Sequence, residues 1–253
     1  MEKVKIKVVT YNLQTGAANE RFLRRFSLSM HRFIDEKPDI IGFQEVMPDQ
    51  QELLIKWLPD YEIIGFGRDK NFGGESNCVA FRKDTFTLYG FHQCWLSPTP
   101  YVPGTRFEEQ SSCPRVVVDL LLKHKDRDLP FRYLNTHLDH VGEGARVLGM
   151  GQILDRINKD NDEWNLPTIL TGDMNAKPTA PAIINAINNE KYPLNDTTAN
   201  LDYTYNFRNV KMKIDYIFAT KDIEYGESYK WDDRIGDDMM PTDHYPVACD
   251  LIV

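Results

Sequence analysis

Five apolar runs in this chain each carry a cluster of polar groups at or near one end, and that repeated build constrains the fold more than any other feature. Leu166-Pro-Thr-Ile-Leu170 runs straight into Thr171-Gly-Asp-Met-Asn175. Val8-Val-Thr-Tyr-Asn12, Ile40-Ile-Gly-Phe-Gln-Glu45, Tyr133-Leu-Asn-Thr-His137 and Ile214-Asp-Tyr-Ile-Phe218 are of the same kind. A sixth segment, Thr242-Asp-His-Tyr-Pro-Val247, places an Asp-His pair just before the last strand-like run. Short apolar runs bounded by turn residues read as buried strands, and the ends of such strands are where a rigid scaffold presents its chemistry. In an extended chain residues i and i+2 share a face. That aims Asp173 and Asn175 at one spot, with Gly172 permitting close backbone approach.

Helical signals fall between these runs. Phe22, Phe26, Met30 and Phe33 recur at helical spacing, and Asp35-Glu-Lys-Pro38 ends the helix because proline disfavours helical geometry in the residue before it. A strand over 39–44 and a short helix over 51–58 follow. Val147, Met150, Leu154 and Ile157 mark a second long helix after Gly142 and Gly144, and residues 181–188 a short one. Strand-like runs cover 63–65, 77–81, 86–95, 115–124 and 131–135. The segment 97–114, rich in Pro, Gly and Ser, is long for a loop in a compact domain, so it either faces substrate or moves. This order predicts one domain over residues 1–253, of α/β class, with two β-sheets packed face to face and helices outside.

With 42% apolar and 11% aromatic residues the chain can bury a large core, which argues against disorder. A net charge of −8, from 38 acidic against 30 basic residues, argues against a dedicated binder of duplex nucleic acid. No leader and no apolar run long enough to span a membrane stands in the sequence. The expectation is a soluble, cytoplasmic protein with no obligate protein partner. Cys78, Cys94, Cys113 and Cys249 lack close spacing and read as reduced, mostly packed thiols, with a Cys94–Cys113 bridge as the alternative.

Among the polar groups, Glu45 is the first candidate ligand for a hard cation such as Mg²⁺, which prefers carboxylate oxygens and leaves room for water and phosphate. Asn12 stands beside it in the pattern. Asp173 and Asn175 are candidates to hold and activate a water, and His244 to contact a phosphate, with an acid such as Asp215 fixing its tautomer. Taken singly, each has an ordinary structural role: a turn acid, a helix cap, a satisfied histidine. His137 and His140 are spaced as His-x-x-His, but the neighbouring ligand candidates are hard oxygens, which disfavours zinc. His31, His92 and His124 read as structural. Trp95, Tyr101 and Phe107, near the long loop, are candidates to stack on a base or sugar, with packing as the ordinary alternative.

Taken in order, Thr10-Tyr-Asn12, Gln44-Glu45, Asn135-Thr-His137-Leu138, Gly172-Asp-Met-Asn175, Ile214-Asp215-Tyr-Ile and Thr242-Asp-His-Tyr-Pro246 resemble the endonuclease/exonuclease/phosphatase superfamily, of deoxyribonuclease-like fold. Leu134-Asn-Thr-His-Leu-Asp-His-Val141, and the stretch from Glu75 to Phe81-Arg-Lys-Asp84, are similar to a bacterial branch largely of unassigned substrate. The resemblance implies a four-layered αββα sandwich of two mixed sheets and a phosphoesterase dependent on Mg²⁺ or Mn²⁺. It makes Glu45 the metal carboxylate, with Asn12 beside it and Asp243 close to the metal. It makes His137, Asp173, Asn175, Asp215 and His244 catalytic, and puts Glu75 where the carboxylate partner of His137 would be. Gln14 stands where some DNA-repair members carry an acid, which implies a less anionic site and disfavours a second metal. Arg115 and Arg146 are candidates to clamp phosphate oxygens.

Ala176-Lys-Pro178 and Lys213-Ile-Asp215 replace motifs of the inositol-phosphatase branch and disfavour it. The expected substrate is a nucleotide-like molecule, a short oligonucleotide or another small soluble phosphoester, diester or monoester. A sphingomyelinase-like headgroup phosphodiesterase and a non-catalytic binding module on the same scaffold are the alternatives.

Overall fold

The computed structural model describes residues 3–16, 20–234 and 240–253. The first half of the chain forms β1 (Lys5–Asn12), α1 (Glu20–Glu36), β2 (Ile40–Gln44), α2 (Pro48–Trp57), β3 (Tyr61–Ile64), β4 (Val79–Arg82), β5 (Phe86–Trp95), β6 (Val116–His124) and β7 (Phe131–His137). The second half forms α3 (Glu143–Glu163), β8 (Thr168–Asp173), α4 (Pro181–Ile187), β9 (Leu194–Asp196), β10 (Tyr205–Phe207), β11 (Val210–Met212), β12 (Asp215–Thr220), β13 (Glu224–Tyr225), β14 (Tyr229–Lys230) and β15 (Val247–Ile252). One sheet has the order β13-β15-β1-β2-β4-β3, with β14 also on β15, and the other has β5-β6-β7-β8-β12-β9. Both are mixed: β1 is parallel to β2 and β7 to β8, whereas β1 with β15 and β8 with β12 are antiparallel. Strands β10 and β11 make a separate hairpin.

Alternation along each strand builds the layers. Ile6 and Val8 of β1, Ile40, Val79 and Phe81 pack against Val118, Leu120, Phe131, Tyr133, Ile169 and Ile217 of the other sheet. Val9 and Tyr11 point the opposite way, onto Phe22, Phe26, Met30 and Phe33 of α1 and Leu54 of α2. On the far side, Leu134, Leu170, Tyr216 and Phe218 meet Met150, Ile153, Leu154 and Ile157 of α3 and Ala182, Ile183 and Ala186 of α4. This is the expected four-layered αββα sandwich. A slip of one residue would turn each strand's set to the wrong layer, and each large side chain so lost would forfeit about 1.5–3 kcal/mol of burial. Helix α1 ends where proline requires it: Lys37 takes a left-handed φ of 45° ahead of Pro38. Helix α2 starts earlier than its apolar pattern suggests because Pro48 suits the first helical turn, and Gln50 accepts a hydrogen bond from the Met47 amide at 2.8 Å.

The inner faces of the two sheets change character toward one edge. Ile6 and Val8 give way to Thr10 and Asn12, Phe131 and Tyr133 to Asn135 and His137, and Ile169 to Thr171 and Asp173. Between the apolar and polar ends lies a buried hydrogen-bonded layer. Tyr133 Oη meets Thr171 Oγ1 at 2.8 Å, Thr171 donates to Asn135 Oδ1 at 3.1 Å, and Gln44 Nε2 reaches Asn135 Oδ1 at 2.8 Å and Thr10 Oγ1 at 3.1 Å. Gly42 makes room for it, since a Cβ there would lie 2.5 Å from Thr171 Oγ1 and 2.6 Å from Asn135 Oδ1. A buried network of this kind, in which Gln44 Oε1 alone of the named side chains' polar atoms has no partner among the described residues, fixes the sheet-to-sheet geometry at the edge where the functional groups emerge.

Segment 97–114 carries no regular element but is tied down. Its Ser111 amide donates to Asp139 Oδ2 at 3.1 Å, while Asp139 Oδ1 accepts from the Val141 and Gly142 amides at 2.9 and 2.8 Å. Phe107 packs on the α3 side of the core. All four cysteines are free, and Cys113 is half-buried rather than packed. Among the described residues, no helix is long and apolar enough to cross a membrane.

Candidate active site

Register places three of the sequence candidates side by side. His137 pairs with Asp173 across the parallel β7–β8 ladder, and Asp215 pairs with Asp173 across the antiparallel β8–β12 ladder. Asp215 therefore opens its strand instead of following an apolar run, and antiparallel pairing still brings it to the same edge. Gly172 sits at φ +153°, and a Cβ there would stand 2.1 Å from the Thr136 carbonyl oxygen, so only glycine lets β8 lie this close to β7.

Strand alternation does not explain how Asn175 joins Asp173. The chain leaves the strand, Asn175 takes φ 46°, and its amide donates to Asp173 Oδ1 at 2.9 Å, which is a side-chain-capped turn. The Asn175 side chain then donates to the Leu138 carbonyl at 3.1 Å and faces His137 Nε2 at 2.9 Å.

His244 is held at its Nδ1 by both Asp215 oxygens, at 3.0 and 2.9 Å, and Thr204 Oγ1 donates to Asp215 Oδ2 at 2.7 Å. Its Nε2 lies 3.6 Å from Asp173 Oδ2, and Tyr205 packs its ring against the imidazole at a centroid distance of 5.0 Å. Asn12 bridges two acids: its Nδ2 donates to Asp173 Oδ2 at 3.0 Å and to Glu45 Oε1 at 3.1 Å. The Asn12 oxygen accepts the Gln14 amide at 2.9 Å, so one of its lone pairs is already committed. Glu45, at a left-handed φ of 59°, also accepts the Thr15 amide at 2.8 Å. Gln14 turns away, its Oε1 accepting Arg25 Nη1 at 2.7 Å.

Burial alone would lower the His244 imidazole, but Asp215 and Asp173 outweigh it and raise the group to about 10. Burial, with Asp215 beside it, pushes the Asp173 carboxyl above the ordinary range, against the pull of His244, the Asn175 amide and Asn12. His137 goes the other way: burial first, then Arg115, Arg68 and the other two histidines hold it well below its usual value, hence neutral. Because His244 is raised from 6.5 to about 10, its charge stabilises the fold fully below pH 6.5 and progressively less as pH rises toward 10. A raised Asp173 has the same sign, since its contribution is present below 3.8 and is lost as pH climbs through its raised value. Unfolding free energy measured in chelator should decline from pH 6.5 to pH 10, less steeply in His244→Gln. Equal slopes would argue against a buried imidazolium.

These groups open onto a cavity of about 300 Å³ that also exposes Arg68, Glu75, Cys113, Arg115 and His140. The cavity brings both kinds of charge together: Arg68, Arg115, His137 and His140 line it with Glu45, Glu75, Asp173 and Asp243, Arg68 is paired with Glu75, and His137 Nε2 lies 3.5 Å from Asp173 Oδ2. Arg115 is buried and spends Nη2 on His140 Nδ1 at 3.0 Å, while its Nε and Nη1 have no hydrogen-bond partner among the described residues. Buried donors without partners are costly, about 1–3 kcal/mol each, and ask for an anion.

Two sequence expectations change. Glu75 does not pair with His137: its carboxylate meets Arg68 Nη1 at 2.7 Å, and His137 Nδ1 is buried without a partner. Arg146 does not line this cavity; its Nη1 donates to the Asp139 carbonyl at 3.0 Å and it faces the adjoining one. The sequence reading missed Arg68, which has no motif of its own. Its placement is a tertiary event: the buried Trp95 donates Nε1 to the Arg68 carbonyl at 2.6 Å, which gives Trp95 a packing role. Tyr101 is 75% exposed and is absent from the cavity lining.

The carboxylates have the donor chemistry of a hard-cation site. Burial raises the Asp243 carboxyl, and Glu45 and Asp215 raise it further against the pull of His244, so like charges face one another there. Asp173, Asp215 and His244 also lie close enough together to ligate an ion. There, however, the imidazolium already serves as counter-charge to both acids, which favours Glu45 and Asp243 for the cation.

A profile of the endonuclease/exonuclease/phosphatase family matches residues 9–244, spanning every element that contributes to the cavity. The chain belongs to that family. Among solved structures, an endonuclease/exonuclease/phosphatase from Bacteroides vulgatus is 27% identical, with a TM-score of 0.88 over 98% of both chains. A mannosyl-6-phosphatase from Bacteroides thetaiotaomicron is 26% identical, with a TM-score of 0.87 over 98% of this chain and 100% of its own. No curated protein matches by sequence. Membership in the endonuclease/exonuclease/phosphatase family makes this chain a phosphoesterase of unassigned substrate.

Proposed function

We propose that the chain hydrolyses a small phosphoester with the aid of Mg²⁺ or Mn²⁺, by attack of a water activated at Asp173. The observation that carries this reading is the lining of one cavity: the buried Arg115, its Nε and Nη1 unpartnered among the described residues, shares it with the buried Asp173 and the half-buried Glu45 and Asp243. Arg115, Arg68 and a neutral His137 bind the phosphoryl oxygens. Asp173, fixed by Asn12 and the Asn175 amide, takes the proton of the attacking water, a role that a carboxylate raised toward neutral pH suits. His244, kept cationic by Asp215, offers charge to the phosphoryl group as negative charge builds there. Water adds to phosphorus, the ester P–O bond breaks, the leaving oxygen takes a proton from solvent and departs as the alcohol, and Asp173 returns its proton to solvent. Glu45 and Asp243, with Asn12 beside them, are the residues placed to hold the cation. When bound, that cation supplies Lewis-acid stabilisation of phosphoryl and leaving oxygens. Oxygen donors of this kind serve Mg²⁺ and Mn²⁺ alike.

A cavity of about 300 Å³ and a net charge of −8 favour a small substrate over a polynucleotide duplex. The full-length similarity to a mannosyl-6-phosphatase puts phosphorylated sugars beside nucleotides in the set to be tested. Titration with Mg²⁺ tests the cation assignment: Glu45→Gln should raise the half-saturating concentration by about tenfold or more, since ligand charge sets affinity for such ions. An unchanged Mg²⁺ requirement would remove Glu45 from the metal site.

A further inference from the structure

A second cavity, of about 490 Å³, adjoins the first and shares His140, Asn175, Met212 and Ile214 with it. Its own polar lining is Glu143 at the start of α3, Arg146 one turn later, and Lys177 and Thr179 in the turn before α4. The side chains of Glu143 and Lys177 make no hydrogen bond or ion pair among the described residues, to each other or to Arg146, although all three face one space. Arg146 is anchored through Nη1 on the Asp139 carbonyl, and its buried Nε has no partner. An acceptor and two cationic donors thus surround a gap that none of them spans.

We propose that this cavity is the leaving-group subsite and that it takes a polyhydroxylated group, so that the substrate is a sugar phosphate. The inference rests on the phosphoesterase reading above and adds the chemical class of what is released. Glu143 accepts hydrogen bonds from hydroxyl groups, Arg146 and Lys177 donate to hydroxyl oxygens, and vicinal hydroxyls supply both functions at once. A second phosphate would meet the charge of Glu143. A nucleobase would find no aromatic surface, because the apolar lining is aliphatic, from Pro181, Met212 and Ile214. The volume lies within the ~300–1,000 Å³ of small-molecule sites.

The test is kcat/KM, with Mg²⁺, for mannose 6-phosphate, glucose 6-phosphate, adenosine 5′-monophosphate and p-nitrophenyl phosphate, in wild type, Glu143→Gln and Lys177→Met. At least one hexose phosphate should exceed the nucleotide by about tenfold, the scale of a hydrogen bond to a charged group. Each variant should lower the ratio of that hexose phosphate to p-nitrophenyl phosphate by about tenfold, chiefly through KM. Both side chains are exposed, so the fold tolerates the changes. Preference for the nucleotide, or a ratio indifferent to both variants, would overturn the subsite while leaving the phosphoesterase reading in place. No turnover of any of the four, with Mg²⁺ or Mn²⁺, would overturn the subsite, and silence on phosphodiesters as well would overturn the phosphoesterase reading.

Discussion

Asp173→Asn should lower metal-dependent turnover by about 10²–10⁴-fold, the ordinary worth of a single general base, with KM and fold little changed. The substitution keeps the shape, and the amide oxygen can still accept the Asn175 amide, now 2.9 Å from Oδ1, while the hydrogen bond that Asn12 donates to Oδ2 at 3.0 Å is lost. What it removes is the capacity to take a proton from water. It also removes one of the three acids that raise His244, so the imidazole of the variant should titrate lower than the wild-type value of about 10. A loss confined to KM would make Asp173 a binding group. Unchanged kcat would take it out of the mechanism.

The largest effect on stability should come from Gly172→Ala. A Cβ placed 2.1 Å from the Thr136 carbonyl oxygen, on a residue with φ +153°, meets backbone rather than a side chain that can swing aside. Overpacking costs about 1–3 kcal/mol and a backbone conformation foreign to L-residues a similar amount, so the sum, about 2–6 kcal/mol, is a large share of the ~5–15 kcal/mol that holds a domain together. The strand separation it forces would also part His137 from Asp173, which are paired across that ladder, so activity should fall with stability. Gly151→Ala is the internal control. That glycine lies within α3 with open space around its missing Cβ, and alanine there should be neutral or stabilising by up to about 1 kcal/mol. Urea unfolding of both variants reads the difference directly; similar midpoints would contradict the close approach of β7 and β8.

The layers were legible because period-two patterning and the helical spacing of α1 and α3 report which face is buried, and burial dominates the energetics. Short pairings were not: β9, β10, β11, β13 and β14 are two or three residues long and owe their extension to neighbours. The meeting of Asp173 with Asn175 was legible, but for another reason than alternation, because asparagine's tolerance of left-handed backbone made a turn where a strand was assumed. Asp215 shows that a polar residue before an apolar run serves the same edge as one after it once the strand is antiparallel. Arg68 and the loss of Glu75 as a partner of His137 were illegible together, since each depends on a loop bent so that Arg68 and Glu75 find each other. Arg146 failed for the complementary reason: a helix position fixes its face, not which of two adjoining cavities that face borders.

Phosphate or alcohol release from a panel of phosphomonoesters and phosphodiesters, run with Mg²⁺, with Mn²⁺ and with chelator, wild type beside Asp173→Asn, decides whether the chain is a metal-dependent phosphoesterase. The expected turnover requires the cation, disappears with chelator, returns on adding metal back and is lost in the variant. Turnover indifferent to chelator, or retained in Asp173→Asn, would contradict that assignment.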